Sequence, residues 1–243
     1  MRRLKYALCL LALGSALQSA QAAPRAVLEL FTSPFCSSCP PADELFAKLA
    51  HSPDLITLVM PVDSYDRPGR KDALAKPEFT DRQAGYADVR NENMLFTPQA
   101  MVNGAAPAMG SDPREIADAI GQTAGLLSVP VQARLSGADI QLSIGAGKSE
   151  GASATVMVLP FVASKHVPLR GGETLHYANL VRDIIPVDTW SGKPLKARLL
   201  RKKFEPYDGI VVLVQAGTPA RPGAIIGATR VMFSKAPGKA RQS

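Results

Sequence analysis

Between Glu29 and Phe46 the chain reads ELFTSPFCSSCPPADELF. A short apolar run enters two cysteines spaced by two residues and leaves through two prolines. Val27 to Phe31 has the composition of a buried strand, and Ala42, Leu45, Phe46 and Leu49 recur at helical spacing. Proline is tolerated in the first turn of a helix, where no N–H is needed, and breaks the ladder further in. The helix is therefore predicted to start near Pro40, with Cys39 close to its cap, and to stop near His51-Ser52-Pro53. A strand, a turn and a helix start in that order bring the sulfurs of Cys36 and Cys39 within reach of each other.

Downstream, Leu55 to Val62 reads as a second buried strand, followed by a long polar connection, DSYDRPGRKDALAK. A loop of that length inside a compact domain is usually functional or mobile. Pro77 to Val89 is predicted helical. Gln99 to Val102 and Ala105 to Met109 flank Asn103-Gly104, a pair suited to a tight hairpin turn. Ser111, Asp112 and Pro113 signal another helix start, with Ile116, Ile120 and Leu127 on one face. The predicted order is β, α, β, α, β, β, α, an α/β unit.

Near Ser128 helical periodicity fades. VQARLSGADIQLSI alternates apolar and polar residues around Ser136-Gly137, and SATVMVLPFVA, GIVVLVQAG and GAIIGATRVMF add strands. A β-rich, sandwich-like region is expected over residues 128–243, after an α/β domain over 23–127.

Residues 1–22 are expected to be a signal peptide. Arg2, Arg3 and Lys5 precede an apolar run from Tyr6 to Leu17, and Ala20-Gln21-Ala22 offers small residues for cleavage. The run is too short to span a membrane. Cys9 would leave with the leader, so Cys36 and Cys39 alone remain, and a periplasmic or secreted location lets them pair. The formal charge of +7 loses the leader's three basic residues, leaving too little to argue for nucleic acid. The densest basic stretch, Lys193 to Phe204, reads as a solvated strand face.

The cysteine pair admits several readings. In a redox reading, the helix start lowers the pKa of Cys36, which attacks, while Cys39 resolves the mixed disulfide. A zinc site needs four ligands, and His51, His166 and His176 show no ligand-pair spacing. A purely structural disulfide stays open, although so tight a loop stabilises by only roughly 2 kcal/mol in the chain-entropy model. A fixed turn for partner binding, with redox activity lost, also stays open. A peroxiredoxin-like site is disfavoured because Glu29 and Ser33 stand where a proline and a threonine would be wanted; covalent haem attachment is separately unsupported, since no histidine follows Cys39.

Strand, CxxC, helix, a later Xaa-Pro entering a hairpin, and a final helix together resemble a thioredoxin-fold domain. In that fold the Xaa-Pro bond is cis and faces the CxxC, and the matching residues are Thr97 and Pro98. More closely, ELFTS, CSSCPPAD, VD..D..G.KD, TPQ and HYANLVR resemble the secreted bacterial family called domain of unknown function 1223. The resemblance implies a thioredoxin-like domain with an appended β-rich region. Pro34-Phe35, Ser64-Tyr65 and Arg70 depart from the expected pattern and alter the rim that meets a partner.

Asp63 follows the second strand at the end where ligands gather in open α/β sheets, so it is a candidate proton acceptor for Cys39. The bland alternative is a loop-capping aspartate. Asp66, Arg67, Arg70, Lys71 and Asp72 read as solvated loop charges, and Trp190 as core. The expectation is an exported thiol-disulfide oxidoreductase acting through Cys36 and Cys39, with Thr97-Pro98 and Asp63 assisting and no dissociable cofactor. Its partners would be protein thiols or disulfides, with another periplasmic redox protein to recycle it. The rival is a non-catalytic periplasmic binding module whose disulfide is structural.

Overall fold

A computed structural model describes residues 23–92, 94–148, 153–169, 172 and 174–233. The expected signal peptide lies outside the described residues. The first half runs β1 (Ala26–Thr32), α1 (Pro40–Leu49), β2 (Leu55–Pro61), α2 (Pro77–Val89), β3 (Gln99–Val102), β4 (Ala106–Met109) and α3 (Pro113–Gln122). This is the predicted order. Strands follow: β5 (Val131–Ser136), β6 (Asp139–Ile144), β7 (Ala154–Pro168), β8 (Thr174–Val181), β9 (Ile185–Trp190), β10 (Leu195–Leu200), β11 (Gly209–Thr218) and β12 (Arg221–Met232), with one short 3-10 turn, Arg201–Phe204.

The fold is mixed α/β, built on a large sheet of nine strands ordered β12-β11-β7-β8-β2-β1-β3-β4, with β9 also on β7. β1 and β2 are parallel, as a crossover through α1 requires, while β3 and β4 are antiparallel neighbours. The change of character near Ser128 coincides with the end of helical structure, yet both halves join one sheet, where β2 meets β8 at Val59 and Leu180.

β1 is buried along its whole length because helices and strands cover both its faces. On one face Leu28 and Leu30 meet Phe46 of α1, Ile116 and Ile120 of α3 and Tyr177 of β8. On the other, Val27 and Phe31 meet Phe79 and Tyr86 of α2 and Met157 and Leu159 of β7. A third core joins Ile140 and Leu142 of β6 to Val156, Val212 and Trp190, which lies wholly buried with its Nε1 donating to the Gly145 carbonyl at 3.2 Å. Thus the three-stranded sheet β10-β6-β5 lays its apolar side on the large one. β10 alternates half-buried and exposed positions, the pattern of a solvated strand face.

Two buried polar devices tie these layers together. Asn103 adopts a left-handed turn with Gly104 (φ 48° and 63°), and its side chain accepts from the Val27 N–H at 2.7 Å and donates to Thr123 at 3.0 Å. Glu29 of β1 accepts from Arg82 Nε at 2.8 Å and from the Tyr86 hydroxyl at 2.5 Å. Gln215 of β11 accepts from Arg82 at 2.8 Å and donates to Tyr86 at 2.7 Å. This fully buried carboxylate is therefore paired and hydrogen-bonded, the condition under which a charge survives in a core.

Candidate functional site

β1 ends at Thr32 and the chain turns twice. The Cys36 N–H donates to Ser33 O and the Cys39 N–H to Cys36 O, each at 3.2 Å. The second turn closes the cysteine pair into a disulfide with Cα atoms 5.4 Å apart. Cys39 is the N-cap of α1, and the prolines fill the first two helical positions. They carry no N–H, while the Ala42 and Asp43 N–H groups both return to Cys39 O at 2.9 and 3.1 Å. The positive end of the helix dipole remains, but few backbone donors are left to serve a sulfur. The polar group beside Cys36 Sγ is instead the Ser38 hydroxyl, at 3.4 Å.

The Thr97 carbonyl lies 3.6 Å from Cys36 Sγ and accepts from Ser38 Oγ at 3.4 Å. The Thr97-Pro98 bond is cis. Behind it, Gly110 donates to the Pro98 carbonyl at 3.0 Å, and a Cβ on Gly110 would fall 2.7 Å from Leu30 Cδ1 and 3.2 Å from Pro98 Cβ. A side chain here would press on Leu30 and Pro98, where the chain leaving β4 closes over this proline. Cys36 is 4% exposed and Cys39 fully buried. Exposed Met94 and Leu95 precede Thr97, and exposed Met109 precedes Gly110.

Cys36, Cys39, Thr97 and Pro98 thus converge, with Ser38 among them. Asp63 is engaged elsewhere: its carboxylate accepts from the Thr80 hydroxyl at 2.5 Å, and its N–H donates to that hydroxyl at 3.1 Å. This is the capping arrangement. Asp66 likewise accepts from the Asp72 N–H at 3.0 Å, within the loop.

A different carboxyl lies one helical turn beyond Cys39. Asp43 is 1% exposed, and neither of its oxygens has a hydrogen-bond partner. Residues four apart share a helix face, with Cβ atoms about 6 Å apart, so Asp43 stands on the Cys39 side of α1. Burial pushes its carboxyl up to about 7, opposed by the Thr32 hydroxyl, which is near enough to be felt but not aligned for a hydrogen bond. The Tyr177 hydroxyl beside it is also buried without a partner, its pKa raised first by burial and then by Asp43 and Asp72. Asp43 borders a cavity of about 760 Å³ that also touches Glu44, Lys48, His51 and His176. The sequence signal for Asp43 was an aspartate on the same face as Ala42 and Phe46, where helical spacing asks for an apolar residue.

His166 and His176 stack at 4.6 Å because β7 and β8 place them directly opposite, a proximity that linear spacing hides. Burial lowers the pKa of His176, helped by His166 and His51. Among the described residues no group of three histidine, cysteine or acidic side chains is placed to hold a metal ion. Nor is any described helix long and apolar enough to cross a membrane.

Residues 27–215 match the family described as protein of unknown function (DUF1223). The chain belongs to this family. The X-ray crystal structure of protein AGR_C_4864 from Agrobacterium tumefaciens is similar, at 34% identity and a TM-score of 0.80 over 91% of this chain and 100% of that one. No curated protein matches.

Proposed function

We propose that this DUF1223 protein is an exported thiol-disulfide exchange protein whose first half is thioredoxin-like. The strand order β2-β1-β3-β4, with a CxxC between β1 and α1 and a cis proline entering β3, supports that fold reading. The leader-like residues before Pro24 support a periplasmic or secreted setting.

The observation that carries the function is the convergence of three unlike parts on one sulfur pair. These are a helix-capping disulfide, the Thr97 carbonyl at 3.6 Å and a buried, unpartnered acid on the next helical turn. In the reducing direction the Cys36 thiolate attacks a partner disulfide, forming a Cys36–partner bond and expelling the partner's second sulfur as thiolate. Cys39 then gives its proton to Asp43 and attacks Cys36. The Cys36–Cys39 bond forms, the partner leaves with two reduced sulfurs, and two electrons have passed to it. The oxidising direction is the reverse. Thr97-Pro98 would align an extended partner segment beside the sulfurs.

The near-complete burial of both cysteines favours a second reading, a structural disulfide in a binding module. Trapping separates the two. The exchange reading expects Cys39→Ser to accumulate a mixed disulfide that Cys36→Ser/Cys39→Ser does not form. A native disulfide inert to dithiothreitol would instead establish the module.

A further inference from the structure

Exposed Met94, Leu95 and Met109 stand close in sequence to Thr97 and Gly110. On the side of Phe35 a cavity of about 480 Å³ opens between the turn before Cys36, the loop after β2 and the outer end of β7, lined among others by Phe35, Arg70, Lys71, Asp72, Lys165 and His166. Arg70, Lys71 and Lys165 are exposed. Among the described residues none of the three is in an ion pair, and Arg70 rests on the Phe35 ring at 4.8 Å, one residue from Cys36.

One acid shares this wall: Asp72 is half-buried, with one oxygen unpartnered and the other accepting from the Leu74 N–H at 2.8 Å. The three cations outnumber it and are held by two separate elements that flank the cavity. Arg70 stands where the family resemblance calls for an aromatic residue, beside Lys71 of the G.KD motif.

We propose that this groove receives an acidic segment of the partner polypeptide, next to the cysteine that exchanges with Cys36. The inference deepens the exchange reading and rests on it for the identity of the partner. Three cations around a partly desolvated groove attract glutamate or aspartate side chains, speed encounter at low salt and repel basic segments. Arg70, held against Phe35, presents a planar fork to a carboxylate.

Three synthetic peptides test it, each with a central cysteine flanked on both sides by three glutamates, three glutamines or three lysines. The cysteine is capped as a disulfide with 5-thio-2-nitrobenzoate, and the reduced protein is added. Cys36 thiolate attacks the peptide sulfur, a Cys36–peptide bond forms and the coloured thiolate leaves. We expect the glutamate peptide to react about tenfold or more faster than the lysine peptide at low ionic strength, with the preference fading in about 0.5 M salt. Arg70→Glu/Lys165→Glu should invert the order, Arg70→Gln/Lys165→Gln should level it, and Lys202→Glu/Lys203→Glu, outside the groove, should leave it intact.

A second arm needs no exchange. Cys36→Ser/Cys39→Ser should bind the glutamate peptide with serine at its centre, and should lose that binding when Arg70 and Lys165 are reversed. Charge-selective binding without exchange would uphold the groove and remove the redox reading. Exchange or binding indifferent to peptide charge, or faster with lysines, overturns the groove.

Discussion

Cys39 and Asp43 are successive turns of one helix face, the first capping α1 and the second buried beneath it without a hydrogen bond. A carboxyl held that way, pushed up to about 7 by burial, is divided between its two states near neutrality, so an ionised form is there to accept a proton. Reduction places a thiol one turn away whose proton has no direct path to water, because Cys39 is fully buried.

The stability of the protein should therefore fall as pH rises through the range of this acid. The folded carboxyl titrates near 7 and its ordinary value is 3.8, so the folded chain binds the proton more tightly between them. The destabilisation is absent below about pH 4, grows towards pH 7 and is constant above, reaching on the order of 4 kcal/mol. Asp43→Asn should flatten the curve and be the more stable protein at pH 8, read by urea unfolding across that range. A parallel decline in the variant would place the titration elsewhere.

The same substitution should slow closure of the Cys36–partner mixed disulfide by roughly 100-fold near neutrality, the size of a lost proton acceptor. Attack by Cys36 on the partner should be unchanged. Stopped-flow measurement of the two phases against pH separates them, and Asp43→Glu should restore part of the slow phase.

Ser38→Ala should reduce the reactivity of Cys36. With the first helical turn lacking two N–H donors, the Ser38 hydroxyl at 3.4 Å is the polar support nearest the sulfur. A hydrogen bond to a charged group contributes about 1.5–3 kcal/mol, so iodoacetamide alkylation of the reduced protein at pH 7 should slow by roughly tenfold. Equal rates would give the support to the helix alone.

Arg82→Met should cost about 3–5 kcal/mol, because it leaves Glu29 charged and buried against a tyrosine that depended on the same guanidinium. Chemical denaturation measures it. Glu29→Leu/Arg82→Met should recover part of the loss, since an apolar pair needs no partner.

Gly110→Ala should destabilise by about 1–3 kcal/mol through the overlap with Leu30 and Pro98, and should also lower the exchange rate with a small aromatic disulfide. Loss of stability without loss of rate would separate the support of Pro98 from its use.

The elements of the first half were legible because each carried local punctuation. Pro40, Pro77 and Pro113 begin the three helices, and Asn103-Gly104 makes the turn of the β3–β4 hairpin. Asp63 shows where local reading fails: its place after a buried strand is as expected, but its partner, Thr80, is seventeen residues on and only the packing of α2 selects it. Asp43 was overlooked because its meaning depends on β8 supplying Tyr177 across the helix. β8 itself was known only as the motif HYANLVR, with too little alternation to read as a strand. The loop charges Arg70 and Lys71 looked solvated, and they are; what the sequence could not reveal is that Lys165, nearly a hundred residues later, faces the same opening.

The sheet continues from β2 into β8, and Gln215 reaches back to Arg82 and Tyr86. A truncated gene ending after Leu127 would encode a fragment with a raw β2 border, a half-clothed β1 and an ion pair deprived of its amide neighbour. The strand-rich portion thus closes the β2 edge of the sheet from which the cysteine turn emerges and completes the polar network around Glu29.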